Sequence, residues 1–584
     1  MKLDTLFRFL RTLRFLRPSQ VMWRLRYLGQ RRFPVLAGQW KPSNKLAYHV
    51  RGDFPPLLLP ELTDTQRETI FLLLQGRLRL LNVEKELTPD GPDWHLGPRT
   101  IGRLWTATLH YHEWLTLLAM WAASNDDQTH ALFQLFKAYV SHWLCHCDLE
   151  REGTRDLAWN AYTIATRIPN WIRCFFLFPK REWDGHQEFQ ELYVKSLWKQ
   201  ASYLHDHVEY DLRANHLLRD AVGLAWAGRF FDTRQSRKWG AKAEQITWQQ
   251  IHEQILPDGG HFERSPMYHI QVMEDLFSLA HVLEDKTIQK HALDAWRRMA
   301  ECIFWLRHPD GGIPLFNDAA LNGSPSPLKV LRLGYRMGWW KDIPIPTGGK
   351  LFQDFGLFVW HGDPWTVFFD IGPVGVDYQP GHGHADTLTV EVSFSGERLW
   401  VDPGTWGYDL DDRRKYDRST EAHNTVCVDR EDSSEVWHIF RCGRRARPSV
   451  HGITIEDKGF HISASHDGYR HLPGSPRPIR EINLDRQGYL MIKDRCEGQG
   501  VHHLTGGWLM APGWTAQACE GGWRVHHPKA GTVRVRVYGP GSLNLHQVSR
   551  WYHPEFGKEL VTSRLEWAIT TRLPVEIVTV HESE

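Results

Sequence analysis

The feature that most constrains this chain is a change of hydrophobic period near residue 346. From about 64 to 338, apolar residues recur every three or four positions, as over 66–81, 101–122, 131–145, 162–178, 188–205, 217–231, 239–256, 268–283 and 291–307. That spacing predicts helices with one buried stripe each. Beyond it, segments 387–394, 399–401, 532–538 and 565–571 alternate apolar and polar residues between Gly, Pro, Asn and Asp turns, the mark of antiparallel strands. The chain therefore reads as an all-α half followed by an all-β half.

Its 584 residues are enough for two cores. The boundaries read as a basic amphipathic segment over 1–63 that packs on the helices, a helical domain over 64–345 and a sheet domain over 346–584, with a Pro- and Gly-containing hinge over 343–350. Leu256-Pro257-Asp258-Gly259-Gly260 is answered 52 residues later by His308-Pro309-Asp310-Gly311-Gly312. One helical hairpin fits that interval, so both loops are expected at one end of a helix-pair array.

Composition narrows the function classes. A net charge of +1 leaves no global field to draw the chain onto nucleic acid. The 28 Trp suit sugar stacking, although packed helices also consume indoles. The eight cysteines form no CxxC pair, and free thiols in a reducing compartment are the simpler account. Arg8, Arg11, Arg14 and Arg17 interrupt the apolar residues near the N-terminus, which is not a secretory-signal pattern. The reading is a cytoplasmic protein; the alternatives are a periplasmic one, or one whose basic N-terminal helix contacts a membrane surface.

Two clusters carry chemistry. Gly381-His382-Gly383-His384-Ala385-Asp386 is followed by Asp402 and by His423-Asn424-Thr425-Val426. In an extended chain His382, His384 and Asp386 face one side. His384, Asp402 and His423 make a candidate Zn²⁺ site, with a metal-free hydrogen-bond network as the alternative. In the helical half, Arg213-Ala214-Asn215-His216 opens a helix, with Asn215 a possible N-cap. Asp258 to Tyr268 runs from a tight turn through Glu263 and Arg264 into another helix. Ser265-Pro266 is a helix start, which puts Tyr268 in its first turn.

These residues resemble the heparinase II/III-like polysaccharide lyases. The resemblance runs through Leu13–Gln20, Trp159-Asn160 to Trp171, Asn215-His216, Asp258–Tyr268, Phe316-Asn317-Asp318, His382 to Asp386, Val401-Asp402-Pro403-Gly404-Thr405 and His423-Asn424-Thr425-Val426. It implies an incomplete (α/α) toroid followed by an antiparallel β-sandwich, and β-elimination on a uronate polymer. It implies Tyr268 as catalytic acid and often base, Asn215 on the uronate carboxylate, His382 opposite, and His216 as a second active-site histidine. His384, Asp402 and His423 match the family's zinc ligands. Arg167, Arg213 and Arg264, with Glu263, are candidate substrate-binding residues, and Arg418 is a further cation of that kind.

The chemistry suits those roles. The C5 proton of a uronate becomes removable when donors stabilise the charge that develops on its carboxylate. Tyrosine, with an ordinary pKa of about 10, needs neighbouring positive charge to act as a base. Two other classes compete. One is a glycoside hydrolase built on Glu263 and Asp318; the other is a non-catalytic binder of acidic glycans in envelope-polysaccharide assembly.

Overall fold

The computed structural model describes residues 3–32, 49–57, 61–88, 91–95, 102–341 and 344–584. Part of the 1–63 segment and residue 343 of the predicted hinge lie outside these. The chain divides into two compact units: Arg17–Glu253 with Glu274–Trp296, and Met1–Leu16 with Gln254–Met273 and Arg297–Glu584.

The first unit is helical. Its main helices are Glu113–Ser124, Thr129–His146, Ala161–Leu177, Gln187–Asp206 and Ala214–Phe230. Helices Ala161–Leu177 and Ala214–Phe230 cross closely because Gly223 lacks a side chain: a Cβ there would lie 2.7 Å from Ala165 Cα. Trp143, Trp171, Trp239 and Trp296 are wholly buried, so these indoles fill the core and are not sugar platforms.

Two predicted helices differ from expectation. The 66–81 run ends as helix Asp64–Leu74, capped by a Thr63–Gln66 box; after Gly76 at φ +72° the chain turns into hairpin strands Arg77–Leu80 and Val83–Glu86. The 101–122 run is broken at His112, which is left-handed at φ 56°. Burial outweighs continuity here, because His112 Nδ1 accepts a 2.8 Å hydrogen bond from Trp171 Nε1 inside the core.

The second unit holds the sheets. A five-stranded antiparallel sheet comprises Gly348–Phe352, Leu357–His361, Trp365–Asp370, Val390–Phe394 and Glu397–Trp400, in that order. The end of the predicted hinge is thus already a strand. Trp400 bridges to Met510, which continues this layer into a four-stranded sheet containing Val501–Leu509 and Lys558–Arg572. An eight-stranded sheet forms the facing layer. Phe358 and Trp360 meet its Phe460 with ring centroids 4.7 and 5.3 Å apart, and Trp400 Nε1 donates to His581 Nε2 at 3.1 Å. Strand Arg477–Leu484 alternates buried and less buried residues, as a sheet with one wet face does.

Strands Leu357–His361, Trp365–Asp370 and Val390–Phe394 are instead buried on both faces. Residues at and just beyond the end of helix Lys286–Trp305 meet the second face. His361 Nε2–H donates to Trp305 O at 2.8 Å, and His308 contacts Phe368, Glu391 and Ser393. Such contacts tie 297–341 to the sheets, and Asp258 on Phe355 N and Arg264 on Asp354 O do the same for 254–273, although both stretches fall within the helical domain read from the sequence.

The two Asp-Gly-Gly echoes make the same turn. In each, the first residue's N–H bonds the last glycine's carbonyl, at 2.9 Å for Leu256–Gly260 and 2.8 Å for His308–Gly312. The middle glycines, Gly259 and Gly311, sit at φ +88° and +84°. In both, one aspartate oxygen accepts from the last glycine N–H; the other reaches the sheet layer, Asp258 to Phe355 N and Asp310 to Arg398 Nε, both at 2.7 Å.

The basic N-terminal segment packs by its polar side. In helix Leu3–Leu13, Arg11 donates to Glu435 at 2.8 Å and Thr12 accepts from Trp437, while Phe7 and Leu10 are 50% and 51% exposed. This helix groups with the sheets, not with the helical unit as its sequence suggests. The next helix, Pro18–Arg32, does belong to the helical unit, where Trp23 stacks on Tyr210. No described helix is long and apolar enough to cross a membrane.

Candidate active site

Tyr268 is the third residue of helix Pro266–Val282, and Ser265 caps the helix by accepting from Tyr268 N. The phenol is buried, with its ring stacked on the His382 imidazole at a centroid distance of 3.9 Å and 29° between planes. Its hydroxyl shares a 2.9 Å hydrogen bond with the Tyr408 hydroxyl.

His382 lies in an irregular stretch before strand Val390–Phe394, so hydrogen bonds rather than strand parity fix its neighbours. Arg418, wholly buried, donates Nε–H and Nη2–H to Gly383 O between the two histidines, and Asn317 Oδ1 accepts from His384 N. Arg418 is thus a clamp on this loop and not a subsite cation.

Asp318 is the hub. Its Oδ2 accepts from His382 Nδ1 and its Oδ1 from His384 Nε2, each at 2.9 Å, and Arg414 grips the same carboxylate with both terminal nitrogens. Burial alone would raise the Asp318 pKa; the Arg414 charge and the two imidazole hydrogen bonds outweigh it and hold the carboxyl well below the usual range. A carboxylate only accepts, so each histidine is set in one tautomer. In the neutral ring this leaves the lone pair of His382 on Nε2 and that of His384 on Nδ1.

The three predicted zinc ligands are neighbours, but in a different arrangement. His423 Nδ1–H donates to Asp402 Oδ2 at 2.7 Å, which turns the Nε2 lone pair of His423 the other way. The donor atoms that converge, all within 4.8 Å of one another, come from His384, Asp386 and His423. His384 Nδ1, Asp386 Oδ2 and His423 Nε2 are each buried without a hydrogen-bond partner. Burial lowers the His384 pKa to about 3 and lowers that of His423, so both rings are neutral; burial raises that of Asp386 to about 6. Two neutral imidazoles and a carboxylate, oriented from behind by Asp318 and Asp402, fit a divalent cation such as Zn²⁺. Asp402 stands behind His423 in this geometry. Among the described residues no other group of three His, Cys, Asp or Glu converges in this way, the segment from His142 to Cys147 included.

The remaining predicted residues separate into several kinds. In the helical unit, Arg213 stands at the N-cap position of Ala214–Phe230, so Asn215 is not the cap; its amide is buried with neither Nδ2 nor Oδ1 bonded. His216 Nδ1 bonds Glu209 at 3.0 Å, and Arg213 pairs with Glu253. Arg167 is no subsite cation: wholly buried, it donates to Gln200 Oε1, His110 O and Ala158 O and lies over Trp143. In the sheet-containing unit, Arg264 turns its guanidinium to the carbonyls of Asp354 and Phe355, and Glu263 is buried 3.9 Å from His261 Nδ1. The sequence reading missed Tyr408, Asp386 as a converging donor, and Arg414.

Comparisons with known proteins agree with this architecture. A Heparinase II/III N-terminus family model matches residues 83–333, and a Heparinase II/III-like, C-terminal model matches 344–583. A heparin-sulfate lyase of Bacteroides stercoris is 26% identical over 517 residues, covering 80% of this chain and 73% of the relative. One from Bacteroides thetaiotaomicron is 21% identical, and the chain spans 54% of its length. Among solved structures, heparinase III superposes with a TM-score of 0.76 at 16% identity, over 97% of this chain and 92% of that one. The heparan sulfate lyase from Pedobacter heparinus gives 0.57 at 16%, over 90% and 84%. The two family models together span most of the sequence on either side of the change in period, and the chain belongs to the heparinase II/III family.

Proposed function

We propose that the protein is a carbon–oxygen lyase that cleaves a uronic-acid-containing, glycosaminoglycan-like polysaccharide by β-elimination. The observation that carries this reading is the stacked Tyr268–His382 pair, a phenol and a tautomer-fixed imidazole in contact. In the reaction the C5–H bond breaks, its electrons form the C4=C5 double bond, the C4–O bond breaks, and the leaving oxygen takes up a proton. His382 Nε2, with its lone pair available, suits proton acceptance. The Tyr268 hydroxyl, backed by Tyr408, suits donation to the leaving oxygen. Asn215 is assigned to the uronate carboxylate; its buried, unbonded amide supports that.

The hydrolase reading is weaker. A hydrolase acid must hold a proton, whereas Asp318 is kept ionised by Arg414 and two imidazoles. The two chemistries differ in product: elimination leaves an unsaturated, ultraviolet-absorbing end, and hydrolysis does not. Rising absorbance on at least one polymer of a uronate panel is expected. New reducing ends with no such rise would exclude elimination.

We further propose a bound divalent cation, Zn²⁺ by the chemistry of its donors, held by His384, Asp386 and His423. When bound it supplies fixed geometry to the loop that carries His382; the proton steps belong to side chains. Chelation is expected to lower the melting temperature, and added zinc to restore it. Asp386→Asn and His423→Ala should lose stoichiometric metal, while Asp402→Asn keeps it with reduced affinity. Full metal content in Asp386→Asn would return the carboxylate role to Asp402.

A further inference from the structure

We propose that a basic cavity in the sheet-containing unit is a second anion site, which receives a sulfate or carboxylate of the acidic polysaccharide; the identity of that polymer rests on the lyase reading above. The cavity, about 310 Å³, lies where the chain leaving the first helix meets residues 444–447 and 467–471. Five guanidinium groups line it, from Arg14, Arg444, Arg445, Arg447 and Arg470, against the single carboxylate of Asp467. It shares no lining residue with the Tyr268–His382 pair.

The local acids are already engaged. Asp377 accepts from Arg445 at 2.9 Å and from Arg447 at 2.7 Å, Asp467 lies 3.2 Å from Arg470, and Glu435 is bonded to Arg11 with Arg444 3.6 Å away. Arg14 has no carboxylate partner among the described residues; its guanidinium carbon lies 4.5 Å from the Phe15 ring centroid. Positive charge is in excess at the cavity wall. Nε of Arg444 and Nε of Arg445 are also buried without a hydrogen-bond partner, and the Arg445 side chain is 4% exposed. Both atoms are shut off from solvent, so an incoming oxyanion is met by the outer nitrogens of Arg444 and Arg470, whose side chains reach solvent. Guanidinium forks match the oxygens of sulfate and carboxylate, and the volume admits an anionic group with part of its sugar. The loop containing Asp377, to which two of these arginines are tied, leads within five residues to His382. A polymer anchored here therefore runs beside the loop that carries the proposed base.

The rival account is that these arginines only pin the first helix, as Arg445 over Phe15 at 3.8 Å does. Arg444 and Arg470, at 38% and 76% side-chain exposure, separate the two. The experiment is calorimetric titration of full-length Tyr268→Phe protein with a heparan sulfate octasaccharide, with and without Arg444→Gln and Arg470→Gln. The double change is expected to weaken octasaccharide binding about tenfold, with the melting temperature retained; Arg14→Gln serves as an independent second variant. Inorganic sulfate alone should bind far more weakly than the octasaccharide. Equal affinity in parent and variants overturns the site, and sulfate binding as tightly as the octasaccharide overturns its assignment to the polymer. The absorbance assay on the unmodified protein separates the two readings. Arginine-dependent binding without unsaturated product leaves this site standing and ends the lyase reading; product formation with arginine-independent binding does the reverse.

Discussion

Tyr268→Phe is expected to bind the polymer as the parent does and to lose turnover by about 10²–10⁴-fold, the usual contribution of a positioned acid or base. The substitution keeps the ring that stacks on His382 and removes the hydroxyl that meets Tyr408. One neutral hydrogen bond contributes about 0.5–1.5 kcal/mol to stability, so the fold survives and the chemistry does not. Initial rates of ultraviolet absorbance, set beside calorimetric binding, give the comparison. Tyr408→Phe should lie between parent and Tyr268→Phe, because it removes a partner of the phenol rather than the phenol itself. Full turnover in Tyr268→Phe would take the residue out of the proton path and return the acid to another group.

The second large effect is on stability. Asp318→Asn keeps the shape of the side chain and removes its charge, leaving the buried Arg414 guanidinium without its counter-ion. Breaking a buried pair from one side costs about 3–5 kcal/mol. The same change disturbs the tautomers of His382 and His384, since an amide offers one acceptor oxygen where the carboxylate offered two. A large drop in melting temperature, together with lost turnover and weaker metal retention, is the expected result. A drop in turnover at unchanged stability would mean that Arg414 finds other acceptors, such as Ile439 O, which it already touches.

Much of this was legible in the sequence. The period change marked where the sheets begin, and Ser265-Pro266 put Tyr268 in the first turn of its helix. What escaped was long-range pairing. Asp318 and Arg414 are 96 positions apart and Tyr268 and Tyr408 are 140 apart, and no local spacing encodes such contacts. Two-residue parity put Asp386 on the side of His384, and its oxygen is the one that converges with the imidazoles; Asp402 entered from another strand and through the resemblance, and its bond to His423 Nδ1 spends it behind that ring. Arg167 was readable in principle. It falls on the stripe of Ile164, Ile168 and Trp171, where a cation must be buried and bonded rather than offered to a ligand.

The paired Asp-Gly-Gly turns bear on how such a chain can be divided or recombined. Each aspartate spends one oxygen closing its own loop and the other fastening a strand layer, so the cut that looks natural at 345/346 would strip three two-faced strands of their cover. A sheet half grafted onto a foreign helical array would inherit an apolar wall with nothing on it. Exchange between relatives is viable only as a cassette that carries both turns along with the strands they fasten.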